Sequence, residues 1–133
     1  MHRIVVVDDF RGWRQTVCKI VEQLPDFEVV GEAADGEEAV QLAEQLKPDL
    51  IVLDIGMPKL NGVEAAKRIF HVSPASKVIF LSQENDLDTI QAVLSLGASA
   101  YVNKIQARTQ LPGAITTALD PVVAAPQPIL ANS

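Results

Sequence analysis

The sequence predicts an α/β protein: a doubly wound, five-stranded parallel sheet with helices on both faces. Three observations lead there. Short apolar runs of strand length alternate five times with stretches whose apolar residues recur at helical spacing. The central run, Leu50 to Leu53, is unbroken by any polar residue, as in a strand buried on both faces. Polar groups (Asp8-Asp9, Asp54, Ser82 and Lys104) fall where these runs end, and that edge of an open α/β sheet is where ligands bind.

Arg3 to Val7 is a β-branched run closed by Asp8-Asp9. From Trp13, the residues Val17, Ile20, Val21 and Leu24 mark one helical face, ended by Pro25. Phe27 to Val30 reads as the second strand, closed by Gly31. Asp35-Gly36 is a turn, and Ala39, Val40, Ala43 and Leu46 form the second helical stripe before Pro48. The central strand ends on Asp54, where Gly56 and Pro58 turn the chain. After Asn61-Gly62, a turn and cap, Val63, Ala66, Ile69 and Phe70 predict a third helix stopping near Ser73-Pro74. Lys77 to Leu81 is the fourth strand, ending at Ser82. Ile90, Val93, Leu94 and Leu96 give the fourth helix, with Gly97 at its C-terminal cap. Ala98 to Val102 is the fifth strand, ending near Lys104. Leu111, Ile115, Ala118 and Leu119 predict a short fifth helix beginning around Thr109 to Leu111, because Pro112 is tolerated only in a first turn. Residues 1–119 thus form one domain, and 120–133 read as a Pro-rich tail or the start of a linker. Right-handed crossovers favour the flavodoxin-like strand order 2-1-3-4-5. That order brings Asp8, Asp9 and Asp54 to one rim, with Ser82 and Lys104 beside them.

Composition narrows the function. The 133 residues carry a net charge of -6, which argues against direct nucleic-acid binding, a process dominated by phosphate neutralisation. No apolar run approaches the roughly 20 residues of a membrane span. Met-His-Arg leads straight into a strand, which predicts no signal peptide, and Cys18 as the lone cysteine excludes an internal disulfide; both favour the cytoplasm. Trp13 and Cys18 read as helix residues without chemistry, and His2 and His71 as surface residues.

Carboxylates held a few ångströms apart repel, so such a cluster raises a pKa or takes up a cation. With only oxygen donors at the strand ends, a hard ion such as Mg²⁺ fits. Mg²⁺ with a free coordination position suits phosphoryl transfer, and Asp54 is a candidate nucleophile. Lys104 supplies a point charge and Ser82 a hydroxyl donor for phosphate oxygens.

The residues Val-Val-Asp8-Asp9, Leu-Asp54-Ile-Gly-Met-Pro58 with Asn61-Gly62, Phe80-Leu-Ser82 and Gly97-Ala-Ser-Ala-Tyr101-Val-Asn-Lys104 resemble the receiver domain of bacterial two-component response regulators, closest to the NarL and FixJ type. The resemblance spans roughly Arg3 to Leu119. It implies that Asp54 accepts a phosphoryl group from a sensor histidine kinase. It implies Mg²⁺ on Asp9, Asp54 and the backbone carbonyl of Gly56, with Asp8 acting through water. Ser82 and Tyr101 would be the switch pair and Lys104 the phosphoryl holder, in a signalling domain rather than an enzyme. Partners read the face of helix four, strand five and helix five, and a homodimer on phosphorylation is implied too. The sequence departs from many receivers at Gln83-Glu84, where the first residue is commonly small, and at Ile105, commonly Pro. Two competing readings are weaker. A haloacid-dehalogenase-type phosphohydrolase would carry Asp-x-Asp after the first strand, and a receiver working only as a binding module would not need the full acid set with Lys104.

Overall fold

The computed structural model describes residues 1–57, 59–83, 86–120 and 129–130. In chain order they form β1 (His2–Val7), α1 (Arg11–Glu22), β2 (Phe27–Ala33), α2 (Gly36–Leu46), β3 (Leu50–Asp54), α3 (Gly62–Val72), β4 (Lys77–Ser82), α4 (Leu87–Ser95), β5 (Ala100–Asn103), α5 (Ala107–Leu119) and β6 (Ile129–Leu130). Every strand pairing is parallel, in the order β2-β1-β3-β4-β5-β6. The five-stranded order 2-1-3-4-5 is therefore present, extended at the β5 edge by the two-residue β6.

Alternation along the strands sorts the core into two halves. Ile4, Val6, Leu50, Val52, Ile79, Leu81 and Val102 pack on one face against Val17, Ile20 and Val21 of α1 and Leu111 and Ile115 of α5. Val5, Val7, Ile51, Leu53, Val78, Phe80 and Tyr101 pack on the other against α2, α3 and α4. β3 is buried at all five positions, as its apolar run predicts. Helix starts follow capping chemistry: Asp35 and Asn61 each accept a hydrogen bond from the backbone N–H three residues on, at Glu38 and Glu64.

Several boundaries differ from the sequence expectation: β5 starts at Ala100 rather than Ala98, and two others have a clear physical reason. β2 does not close at Gly31 but runs to Ala33, whose carbonyl accepts from the Asp8 N–H at 3.1 Å. Gly31 marks close packing instead, since a Cβ there would stand 3.2 Å from Leu46 of α2. The fifth helix is also neither short nor late. A 3₁₀ turn over Lys104–Gln106, capped by the Asn103 side chain on the Ile105 N–H, leads into 13 residues of α5 with Pro112 inside it. Burial of Ala107, Leu111, Ala114, Ile115 and Ala118 outweighs the roughly 3 kcal/mol handicap of an interior proline. The Pro-rich stretch 121–128 lies outside the described residues. Among the described residues no helix is long and apolar enough to cross a membrane.

Gly113 is exposed in α5, and a Cβ there would meet nothing within 4 Å. Gly113→Ala should raise stability by about 0.5–1 kcal/mol through helix propensity and a less flexible unfolded chain. The check is the urea midpoint at unchanged slope; a midpoint at or below wild type would contradict it.

Candidate functional site

Strand register assembles the site. Val7 is level with Leu53, so Asp8 emerges beside Asp54 on the neighbouring strand. Asp54 is in turn level with Leu81, the residue before Ser82, and Ser82 with Asn103, the residue before Lys104. By alternation Asp8, Asp54 and Lys104 continue the α1/α5 side of the sheet. Ser82 and Tyr101 belong to the α4 side.

Carboxylate oxygens of Asp8, Asp9 and Asp54 lie within 4.8 Å of one another. Asp8 and Asp54 are buried and Asp9 is exposed, so two acids form the floor and one the rim. The Lys104 ammonium is buried between them, 2.7 Å from Asp8 Oδ2 and 3.5 Å from Asp54 Oδ1. A charge so enclosed requires such partners. The Phe10 N–H donates to Asp8 Oδ1 at 2.9 Å, and Arg14 donates to the Asp8 carbonyl at 2.9 Å, which fixes the loop between β1 and α1. Burial, reinforced by Asp8, pushes the Asp54 carboxyl up to about 6, against the pull of Lys104 and the Gly56 N–H. The ionised form is the one that can serve as a nucleophile or cation ligand. The donors are all hard oxygens with one exposed member, a set that fits Mg²⁺ with retained waters.

A cleft of about 500 Å³ opens over these groups; Asp9, Asp54, Gly56, Ser82 and Lys104 line it, with Phe10, Trp13 and Gln83 around them. Of the residues singled out from sequence, Asp8 lies beneath the cleft, paired to Lys104, rather than in its lining. Tyr101 is fully buried in the α4-side core, opposite Phe80 on β4, and does not line the cleft. Glu84 falls outside the described residues.

Two cleft residues, Phe10 and Trp13, were overlooked in the sequence. Trp13, read there as an inert helix residue, places its ring 5.3 Å from Lys104 Nζ. The signal lay in chain order: Trp13 is in the first turn of α1, on the side of the sheet toward which Lys104 points. Cys18 is inert as expected, its thiol pushed up to about 11 by burial and then by Glu32.

Residues 4–116 match the model of the response regulator receiver domain. The chain belongs to that family. It is 44% identical to the transcriptional regulatory protein DegU of Brevibacillus brevis over 102 residues, 77% of this chain and 43% of DegU. To the nitrate/nitrite response regulator NarL of Escherichia coli it is 37% identical over 101 residues, 76% of this chain and 47% of NarL. The chain thus spans about half the length of the curated relatives it matches. Among solved structures, the response regulator domain of Thermotoga maritima CheB superimposes with a TM-score of 0.82 at 36% identity, covering 91% of this chain and 99% of that domain. The receiver fold and the likeness to the NarL type, both expected from the motifs, are thereby established. The family places the chain in two-component signalling.

Proposed function

We propose that Asp54 is the phosphoryl acceptor of this receiver and that a sensor histidine kinase is the donor. The observation that carries the reading is the position of Lys104, buried between Asp8 and Asp54 in the wall of a cleft that a third acid, Asp9, also lines. In the transfer, a carboxylate oxygen of Asp54 attacks phosphorus while the phosphorus–nitrogen bond to the donor imidazole breaks, its electron pair leaving with the nitrogen. Asp9, Asp54 and the Gly56 carbonyl, with Asp8 through water, would hold Mg²⁺, which when bound neutralises charge on the phosphoryl oxygens. Lys104 pairs with one of those oxygens and the Ser82 hydroxyl donates to another.

A phosphoryl group adds about -1.5 to -2 charges and three acceptor oxygens beside Ser82. Tyr101 already lies inside the core, so phosphorylation would act by drawing Ser82 toward the new oxygens and holding the inward arrangement. That biases the face formed by α4, β5 and α5, and with it partner binding, including pairing with a second copy. Residues 1–119 would be the receiver domain, acting in the cytoplasm, with 120–133 as a tail or the start of an inter-domain linker; the domain is a phosphoryl acceptor that turns over nothing beyond its own phosphoryl group.

The test is mass spectrometry after incubation with acetyl phosphate and Mg²⁺. One phosphoryl group should appear on wild type, vanish with a chelator and be absent from Asp54→Asn. No adduct on wild type, or an undiminished one on the variant, would overturn the reading.

A further inference from the structure

We propose that Trp13 is a positioning residue for Lys104, holding the ammonium in place when the cation site is filled. The inference rests on the function proposed above but concerns a residue outside the acid–lysine set. Among the described residues, the Lys104 Nζ has three neighbours that can compensate its charge: Asp8 at 2.7 Å, Asp54 at 3.5 Å and the Trp13 ring at 5.3 Å. The first two are carboxylates that also belong to the cation cluster. A divalent ion there competes with Lys104 for the same oxygens, and a phosphoryl group would occupy an Asp54 oxygen outright. The indole face is different. It attracts an ammonium through its quadrupole but is a poor ligand for a hydrated hard cation. Among the described residues it is therefore the one partner of Lys104 that cation loading leaves untouched.

Geometry adds to this. Lys104 is 6% exposed, so it cannot compensate lost carboxylates by turning into water. Trp13 sits in the first turn of α1, which the Phe10 N–H to Asp8 and Arg14 to Asp8 hydrogen bonds tie to the floor of the site. The backbone that carries the ring is thus tied to Asp8. A cation–π contact imposes no single hydrogen-bond direction, so Lys104 can swing from Asp8 toward a phosphoryl oxygen without leaving the ring.

The experiment compares wild type with Trp13→Phe and Trp13→Leu, each also in a Lys104→Met background. Readouts are the rate of phosphoryl uptake from limiting acetyl phosphate and, separately, Mg²⁺ affinity. Trp13→Leu should slow uptake about fivefold, as expected for a partly desolvated cation–π contact, while Trp13→Phe stays within about twofold of wild type. Mg²⁺ affinity should be unchanged in both, which also verifies that the pocket is assembled. In the Lys104→Met background the Leu substitution should have no further effect. Equal rates for Phe and Leu, or an undiminished Leu effect without Lys104, would overturn the role of Trp13. Failure of wild type itself to take up a phosphoryl group would instead sink the function proposed above, so the two failures are distinguishable.

Discussion

Asp54→Asn should abolish phosphoryl uptake and, in the absence of Mg²⁺, make the protein more stable. In the folded chain Asp54 holds its proton up to a pH of about 6, against 3.8 for an unperturbed aspartate. Burial is the main cause and the neighbouring Asp8 the second. Above about pH 6 the folded state must keep this acid ionised where it is disfavoured, while the unfolded chain ionises it freely. Between about 6 and 4 the folded protein binds the extra proton, so this group's penalty fades as pH falls and is gone below the unfolded value. Two pH units correspond to roughly 3 kcal/mol at neutral pH. The variant also loses the Asp54 contact with Lys104, although Asp8 still pairs with that lysine at 2.7 Å. The net gain should be about 2 kcal/mol, or roughly 8 °C in melting temperature. The advantage over wild type should shrink from pH 7 to pH 4. Millimolar Mg²⁺ should narrow it at pH 7, because ligand binding stabilises wild type more. A variant less stable than wild type, or an advantage indifferent to pH, would show that Asp54 is not the strained acid of this site.

The pattern of alternating runs was enough to place ten of the elements, because a buried parallel strand such as Leu50 to Leu53 and an amphipathic stripe such as Val17, Ile20 and Val21 announce themselves locally. The rim was legible for the same reason: in a doubly wound order, strand ends must meet. What escaped depends on contacts between distant segments. Gly31 looks like a strand end in one dimension, yet it is where the leucines of α2 need room. Pro112 looks like a helix boundary, yet burial of Leu111 and Ile115 carries α5 through it. Trp13 has no motif around it, and its meaning comes from a lysine 91 positions later, brought over it by strand alternation. Ser82 and Tyr101 were paired by resemblance, and alternation puts both on the α4 side of the sheet.

The glycine that follows the Asp54 loop should be as unforgiving as the aspartate. Gly62 opens α3, and its N–H donates to the Ile55 carbonyl at 2.8 Å. A Cβ added there would stand 2.2 Å from the Asp54 carbonyl oxygen and 2.7 Å from the Ile55 Cα. Both are backbone atoms, and no rotamer change relieves the overlap. Either α3 backs away from β3, opening the packed layer of Ala65, Ala66 and Ile69, or the end of β3 shifts and takes Asp54 with it. Gly62→Ala should therefore cost about 3 kcal/mol or more, at the upper end of overpacking because backbone cannot yield as side chains do. It should also weaken Mg²⁺ binding, since the Asp54 oxygens must remain within a few ångströms of those of Asp8 and Asp9. Gly56→Ala is the control in the same loop: a Cβ there meets nothing within 4 Å, and stability should stay within about 0.5 kcal/mol of wild type. Urea unfolding with a parallel Mg²⁺ titration measures both effects. If Gly62→Ala matched wild type in both, the close seat of α3 on β3 would not be what holds Asp54 in place.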